Sequence, residues 1–320
     1  MNNLTAIQNS NTDLNEKVKA LGNFLGETPL YPISRLHQNE RVKIFAKMEW
    51  QQFGSSVKAR PAYRIIKDAI ANDELSERRH LLDASSGNTG IAYAHIGAAL
   101  GIPVTLCLPE NASAERKNIL KALGVQIHFT SRMGGTDEAQ NIARELYEEN
   151  PGKYFYADQY SNDSNWQAHY ETTAPEIWQQ TGNSITHFIA GLGTTGTFMG
   201  TGRRLKEYDS DIRLISVQPE LAMHGLEGWK HMETAQIPDI YHPSLADEER
   251  IINTEKAHNM IKRAAAEEGL LLSPSSAANL ASALHLAEGL KEGTIVTIFP
   301  DDGSKYGEII KNIFKQNKRT

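Results

Sequence analysis

Chemistry, if this chain performs any, begins at Phe53-Gly54-Ser55-Ser56-Val57-Lys58-Ala59-Arg60-Pro61. The stretch follows an apolar run, Val42–Met48, that reads as a strand, and precedes a stripe of Ala62, Ile65, Ile66, Ala69 and Ile70 at helical spacing. Lys58 therefore falls where a strand hands over to a helix, near the helix's positive end. Burial and positive potential both favour a neutral amine there, and a neutral lysine amine forms a Schiff base with an aldehyde. Most lysines are simply solvated, so Lys58 needs support from elsewhere in the chain.

Three further turns offer it. Gly191-Leu192-Gly193-Thr194-Thr195-Gly196-Thr197 joins an apolar run to a helical pattern. Successive backbone N–H groups at a helix start, with threonine hydroxyls added, make a cradle for a phosphate. The same run fits Gly-x-Gly-x-x-Gly, with Glu220 at about the distance expected of a ribose-binding acid, so a nicotinamide dinucleotide stands as a second reading. Ser85-Ser86-Gly87-Asn88-Thr89-Gly90 runs straight into another helix and suits a carboxylate; an ordinary N-cap accounts for one of its hydroxyls but not for four side-chain donors. Ser273-Pro274-Ser275-Ser276 precedes a third helix, either as a plain N-cap or as the source of a hydroxyl for a ring nitrogen.

Other chemistries find little footing. The 11 histidines show no paired metal spacing. No Gly-x-Ser-x-Gly elbow occurs. Cys107 lies within an apolar strand and reads as a small core residue, while Asp301-Asp302-Gly303-Ser304 reads as a solvated turn.

The elements that must hold these turns alternate. Strand-like Leu81–Ala84, Val104–Leu108, Val125–Phe129, Tyr154–Ala157, Ile185–Ala190, Ile212–Val217 and Ile295–Phe299 are interleaved with helical patterns. The helices fall at Ile91–Leu100, Ala114–Leu123, Asp137–Glu149, Trp166–Gln180, up to Tyr208, Thr254–Glu268 with Thr254 as its cap, Ser276–Leu290 and Tyr306–Phe314. Pro219–Arg250 reads as a long functional loop with short helical pieces. Repeated strand–helix units of this length give an α/β protein with mostly parallel sheets flanked by helices, whose ligands collect at the carboxyl ends of the strands. The 320 residues allow two domains. The expected division is a smaller, mobile domain over 50–158, carrying the Ser85–Gly90 turn, and a larger one built from 13–49 and 159–320. With 40% hydrophobic and 22% charged residues and a net charge of −6, nothing suggests nucleic acid, and no apolar run approaches the ~20 residues of a membrane span. One cysteine and a polar start without a leader pattern point to a reducing, cytoplasmic setting.

A lysine after a strand, a Ser/Asn turn and a glycine-threonine cup occur together in one family. From about Gly26 to Tyr306 the chain resembles the fold type II (tryptophan synthase β-like) pyridoxal-phosphate enzymes, and within them the cysteine synthases, on the strength of Ser56-Val57-Lys58, Ser86-Gly87-Asn88-Thr89-Gly90 and Gly193-Thr194-Thr195-Gly196-Thr197. The double threonine, the run Ala168–Trp178 and Gln218-Pro219-Glu220 are similar to the B-type members. The resemblance implies pyridoxal 5'-phosphate held by Lys58 as a Schiff base. Asn88 would meet its phenolic oxygen, Gly193, Thr194, Thr195, Gly196 and Thr197 its phosphate, and Ser275 its pyridine nitrogen. Ser85, Ser86, Thr89 and Gln159 would hold the substrate carboxylate. A hydroxyl at the ring nitrogen leaves that nitrogen unprotonated and suits β-elimination.

The implied reaction is β-replacement: O-acetyl-L-serine and sulfide, or a related sulfur donor, give L-cysteine through an aminoacrylate, with Lys58 as the base, in a homodimer acting on small molecules. The chain departs from the family pattern at Ala59, at Gln52-Phe53, at Ser273–Ala278 and at Leu226-Glu227-Gly228-Trp229-Lys230, which lacks the paired arginines of B-type enzymes. These departures keep O-phosphoserine, or an amine nucleophile as in diaminopropionate-type synthases, open as variants. Lys230 is a candidate for holding an anionic group. A dehydrogenase using Gly191–Gly196, or an idle relative kept as a binding subunit, are the readings from other classes.

Overall fold

The computed structural model describes residues 13–85 and 87–315. In chain order the elements are α1 (13–21), β1 (Leu30–Ile33), β2 (Val42–Met48), α2 (Ala59–Ala71), β3 (His80–Ala84), α3 (Asn88–Leu100), β4 (Val104–Pro109), α4 (Ala114–Ala122), β5 (Gln126–Thr130), α5 (Gly135–Glu149) and β6 (Tyr154–Tyr156). They continue with α6 (Ser164–Ala168), a π-helical segment (His169–Thr173), α7 (Ala174–Gln180), β7 (His187–Gly191), α8 (Gly196–Tyr208), β8 (Arg213–Pro219), β9 (Glu248–Ile252), α9 (Thr254–Arg263), α10 (Pro274–Glu288), β10 (Gly293–Phe299) and α11 (Gly307–Lys315). The described residues divide into two compact units.

The first unit takes in the described residues up to Gly26, then Gln52–Gly54 and Lys58–Asn165. Its four-stranded sheet runs β5-β4-β3-β6, all parallel. β3 and β4 are almost wholly buried because helices cover both faces, which explains why both are mostly apolar, Asp83 and Thr105 being the buried exceptions. The predicted stripe on α2 is buried, and it packs with α3 and with Leu14 and Val18 of α1 in one core. Across the sheet, Ala139 and Ala143 of α5 meet Leu82, Ala84 and Cys107. Cys107 is fully buried, and burial first, with Asp83 second, pushes its thiol up to about 12, as a core residue requires.

The second unit comprises Glu27–Gln51, Ser55–Val57 and the chain from Trp166. Its six strands run β1-β2-β10-β7-β8-β9. Only β1 is antiparallel, paired with β2 through Leu30↔Lys47 to Ile33↔Ile44. One core lies beneath α9 and α10, and another lies between the sheet and α7 and α8.

Three local expectations change. The region read as loop up to Arg250 ends in a strand, β9, which pairs with β8 from Ile215↔Glu248 to Pro219↔Ile252. Its leading Glu248, Glu249 and Arg250 hide the apolar pattern because β9 is an edge with little burial. Thr254 does not cap α9. Asn253 does, accepting from Lys256 N at 2.9 Å, while Thr254 Oγ1 accepts from Gly225 N at 3.0 Å. The helix predicted over Trp166–Gln180 is interrupted by the π segment, at whose start Gly200 of α8 comes so close that a Cβ on it would lie 2.9 Å from the His169 side chain and 1.9 Å from Trp166 O of α6.

Helix α10 is fixed to the sheet by one side chain. Asn279, 1% exposed, donates to Ile298 O (2.7 Å) and accepts from Gly191 N (2.9 Å), so it sets the helix start against the end of β7. Asn279→Ala leaves an N–H and a C=O without that partner, and it should cost about 1–3 kcal/mol in urea unfolding.

Candidate active site

Lys58 is the N-cap of α2, half-buried, with its carbonyl accepting from Ala62 N at 3.1 Å. Two left-handed residues precede it, Gly54 at φ +86 and Ser55 at φ +49. A glycine is needed at 54, since a Cβ there would lie 3.3 Å from that of Ala59 and the backbone conformation is one that side chains disfavour. This sharp reversal, rather than a side-chain cap, delivers the lysine to the start of the helix.

The β3–α3 turn is organised by its own side chains. Ser85 Oγ accepts from Gly90 N (3.0 Å) and Gly87 N (3.4 Å), so this hydroxyl oxygen does cap the helix, and its proton can be given to a ligand. Thr89 Oγ1 donates to Gln159 Oε1 at 2.7 Å, and Gln159 Nε2 donates to Ala84 O at 3.1 Å. Thr89 and Gln159, far apart in sequence, are thus brought together and buried. Asn88 opens α3, and Ser86 lies outside the described residues.

Asp83, which the sequence did not single out, lies beneath this turn. It is fully buried, with Oδ1 accepting from Ala84 N at 2.8 Å and Oδ2 without a hydrogen-bond partner. Burial first, and the Asp158 carboxylate among the other causes, raise its carboxyl to about 7. Tyr93 of α3 faces it and is itself pushed well above the usual phenol range by burial, then by Asp83. A polar residue inside an apolar strand pattern was the available signal.

In the second unit the β7–α8 turn is shaped by part of the long loop that the sequence reads as functional, at Gly228-Trp229. A Cβ at Gly191 would fall 1.9 Å from the Trp229 ring, and one at Gly193 would fall 2.1 Å from Gly228 O. Lys230 N donates to Leu192 O at 2.8 Å. Two glycines of the apparent dinucleotide fingerprint are therefore required by Gly228-Trp229 packing, whatever ligand binds. Lys230 ties the loop to itself, with Nζ donating to Gln236 O at 3.1 Å.

Beyond the glycines, Thr195 sits at the N-cap of α8 with φ +70 and ψ −14, 3% exposed, its Oγ1 buried without a partner. A β-branched residue rarely takes this conformation, at a cost of about 1–3 kcal/mol. Thr194 and Gly196 are also buried. Thr197 Oγ1 lies 3.2 Å from His169 Nε2, whose Nδ1 in turn lies 2.8 Å from Thr173 Oγ1. An orphaned hydroxyl and a bare helix start fit a phosphate. Ser275, 4% exposed, shares the second unit with this turn through the Asn279 tie, and its Oγ lies 3.1 Å from Ser273 Oγ. Ser273 is the actual N-cap, accepting from Ser276 N at 3.1 Å, which leaves Ser275 as an additional hydroxyl. Among the described residues no cluster of three or more His, Cys, Asp or Glu could hold a metal.

Parallel sheets whose strand-to-helix turns present hydroxyls and amides define an α/β enzyme built for anionic small molecules. More particularly, the chain belongs to the pyridoxal-phosphate dependent enzymes, whose family pattern matches residues 22–301. It is 45% identical over 290 residues to a cysteine synthase of Aquifex aeolicus, covering 88% of this chain and 89% of that one. It is 36% identical over 288 residues to cysteine synthase B of Pseudomonas aeruginosa, covering 89% and 95%. The solved cysteine synthase of Entamoeba histolytica superposes with a TM-score of 0.86 at 32% identity, covering 92% of this chain and 90% of that one. Pyridoxal 5'-phosphate is the cofactor of this family, and the Thr195 turn fits its phosphate.

Two outcomes follow. Gly193→Ala forces backbone against backbone at Gly228, and it should destabilise by about 2 kcal/mol and weaken cofactor retention on dialysis. Asp83 keeps a proton in the folded protein, between pH 3.8 and about 7, that the unfolded chain has lost. Stability therefore falls as pH rises through that window, by up to about 1.4 kcal/mol per unit. Asp83→Asn should gain on the native protein across the same window and hold its advantage above it, as read by urea unfolding at a series of pH values.

Proposed function

We propose that the protein is a cysteine synthase: O-acetyl-L-serine and sulfide give L-cysteine and acetate by replacement at the β-carbon. The observation that carries the reading is the buried, left-handed Thr195 with its unpartnered hydroxyl at the start of α8, found in a chain 45% identical to a cysteine synthase over nearly its whole length.

When bound, pyridoxal phosphate supplies an electron sink for the charge left on the substrate's α-carbon. Thr194, Thr195 and Thr197, with the amides of Gly193 and Gly196, hold its phosphate. The amide dipoles at the start of α8 add to this. Asn88 would meet the phenolic oxygen and Ser275 the pyridine nitrogen, where a hydroxyl would leave the ring nitrogen uncharged. Ser85, Ser86 and Thr89 take the substrate carboxylate, with Gln159 orienting Thr89. The Lys58 amine takes the proton from the α-carbon and returns it after sulfide has added. The transferase class follows from this reaction.

Lys58→Ala tests the assignment. The native protein should be yellow and be bleached by borohydride. The variant should lose that absorbance and about 10²–10⁴-fold in kcat for cysteine formation. An unchanged visible spectrum would place the covalent attachment elsewhere.

A further inference from the structure

Beneath the carboxylate turn lies a buried acid that the reaction itself does not use. Asp83 is the penultimate residue of β3, and Ser85 follows directly on the strand's last residue, Ala84. Its Oδ1 accepts from Ala84 N (2.8 Å), and the backbone N–H of Gln159 and the hydroxyl of Tyr93 both face the buried carboxyl group. Ala84 and Gln159 are the two residues that fasten the turn: Gln159 Nε2 donates to Ala84 O, and Gln159 Oε1 takes the Thr89 proton. Gln159 is held from behind as well, its carbonyl accepting from Asn165 Nδ2 at 2.5 Å. It follows Asp158, whose backbone is left-handed at φ +41.

We propose that Asp83 is a positioning residue for the substrate-carboxylate turn, working as the neutral acid, and that its ionised form puts a second negative charge under the turn and weakens binding of the substrate's carboxylate. The inference rests on reading Ser85–Thr89 as the carboxylate site.

The surroundings pull both ways: the N–H groups of Ala84 and Gln159 and the Tyr93 hydroxyl favour the carboxylate, while burial, the largest influence, and the Asp158 charge favour the neutral acid. α3 brings Tyr93, β4 brings Cys107, and the chain around the end of β6 brings Tyr156, Asp158 and Tyr160. The phenols and the thiol are all pushed upward, by burial first and then by the Asp83 charge, and so remain neutral. Asp158 is a charged neighbour of Asp83, and its repulsion opposes ionisation. Burial and this repulsion put the proton's departure at about pH 7, where an enzyme would feel it. Two carboxylates close together in a buried site do not both ionise cheaply. Binding the substrate's carboxylate must therefore tighten the proton on Asp83, and the proton must tighten the substrate, by the same factor.

The probe is L-serine, which carries the carboxylate and amine of the substrate without a good leaving group. Its dissociation constant is read from the cofactor absorbance of the holoenzyme between pH 5.5 and 8.5, for the native protein and for Asp83→Asn. The ratio of the two cancels titration of the serine amine. It should lie nearest unity at the acid end and grow to roughly fivefold or more, in favour of Asp83→Asn, at the alkaline end. In the native protein alone, the infrared carbonyl stretch of a protonated carboxyl should fade around pH 7 and persist to higher pH with saturating serine. This second measurement stands even if the variant does not fold. A ratio that does not change with pH, or an infrared midpoint that serine leaves in place, overturns the proposal. Thr89→Ala separates the two layers. Loss of serine binding at every pH upholds the reading of the turn, whereas unimpaired binding sinks that reading and the proposal with it.

Discussion

The second unit depends on a threonine held where threonines rarely sit. Thr195 turns left-handed at the start of α8 and buries a hydroxyl that the protein leaves unsatisfied. Conformation and orphaned donor together cost about 2–6 kcal/mol against an ordinary turn. Such a cost persists only where surrounding structure over-determines it. Here Trp229 packs where a side chain at 191 would sit, and the Gly228 carbonyl packs where one at 193 would sit, while Lys230 N holds Leu192 O. The chain leaving β7 has one narrow route, and Thr195 lies at its end. An anion at the helix start then meets donors already aimed, with no reorganisation left to oppose binding.

That arrangement changes what the glycines mean. Gly-x-Gly-x-x-Gly is commonly read as a signature of close approach by a pyrophosphate. In this chain the first two glycines are set by contacts with the protein's own loop 226–230, and threonine hydroxyls lie between and after them. The dinucleotide reading took the spacing as its evidence. The geometry shows that spacing to be a packing requirement, which is as compatible with a phosphate monoester.

Much of this was legible in sequence because period and turn chemistry agree along the chain. The α2 stripe from Ala62 to Ile70 faces a core, β3 and β4 read as mostly apolar runs because both faces are covered, and Gly269 ends a helical stretch in the left-handed region. What escaped depends on partners distant in sequence. Nothing near Leu226–Lys230 says that it lies on the β7 turn, and nothing near Asn279 says that its amide bridges Gly191 and Ile298. Leu14 and Val18 announce an apolar face without naming the core they join. β9 failed for a different reason: an edge strand with charged residues has no burial to impose a period. At the sites themselves, residue type was informative and hydrogen-bond direction was not. The Ser85–Gly90 run advertises donors, yet only coordinates reveal that Ser85 spends its lone pairs on Gly87 and Gly90 and that Thr89 spends its proton on Gln159.

That expenditure bears on selectivity. A carboxylate entering the turn takes the Thr89 proton only if Gln159 gives it up, and the freed Gln159 oxygen must then find another donor. The exchange is near neutral for a ligand whose carboxylate replaces the lost acceptor with a charged one, since bonds to ionised acceptors are about twice as strong as neutral ones. A ligand with an ester, an amide or nothing at that position breaks the Thr89–Gln159 bond without equivalent return, and leaves buried polar groups unpaired at about 1–3 kcal/mol each. On the proposed reading of this turn as the carboxylate site, the Thr89–Gln159 bond would favour free α-carboxylates.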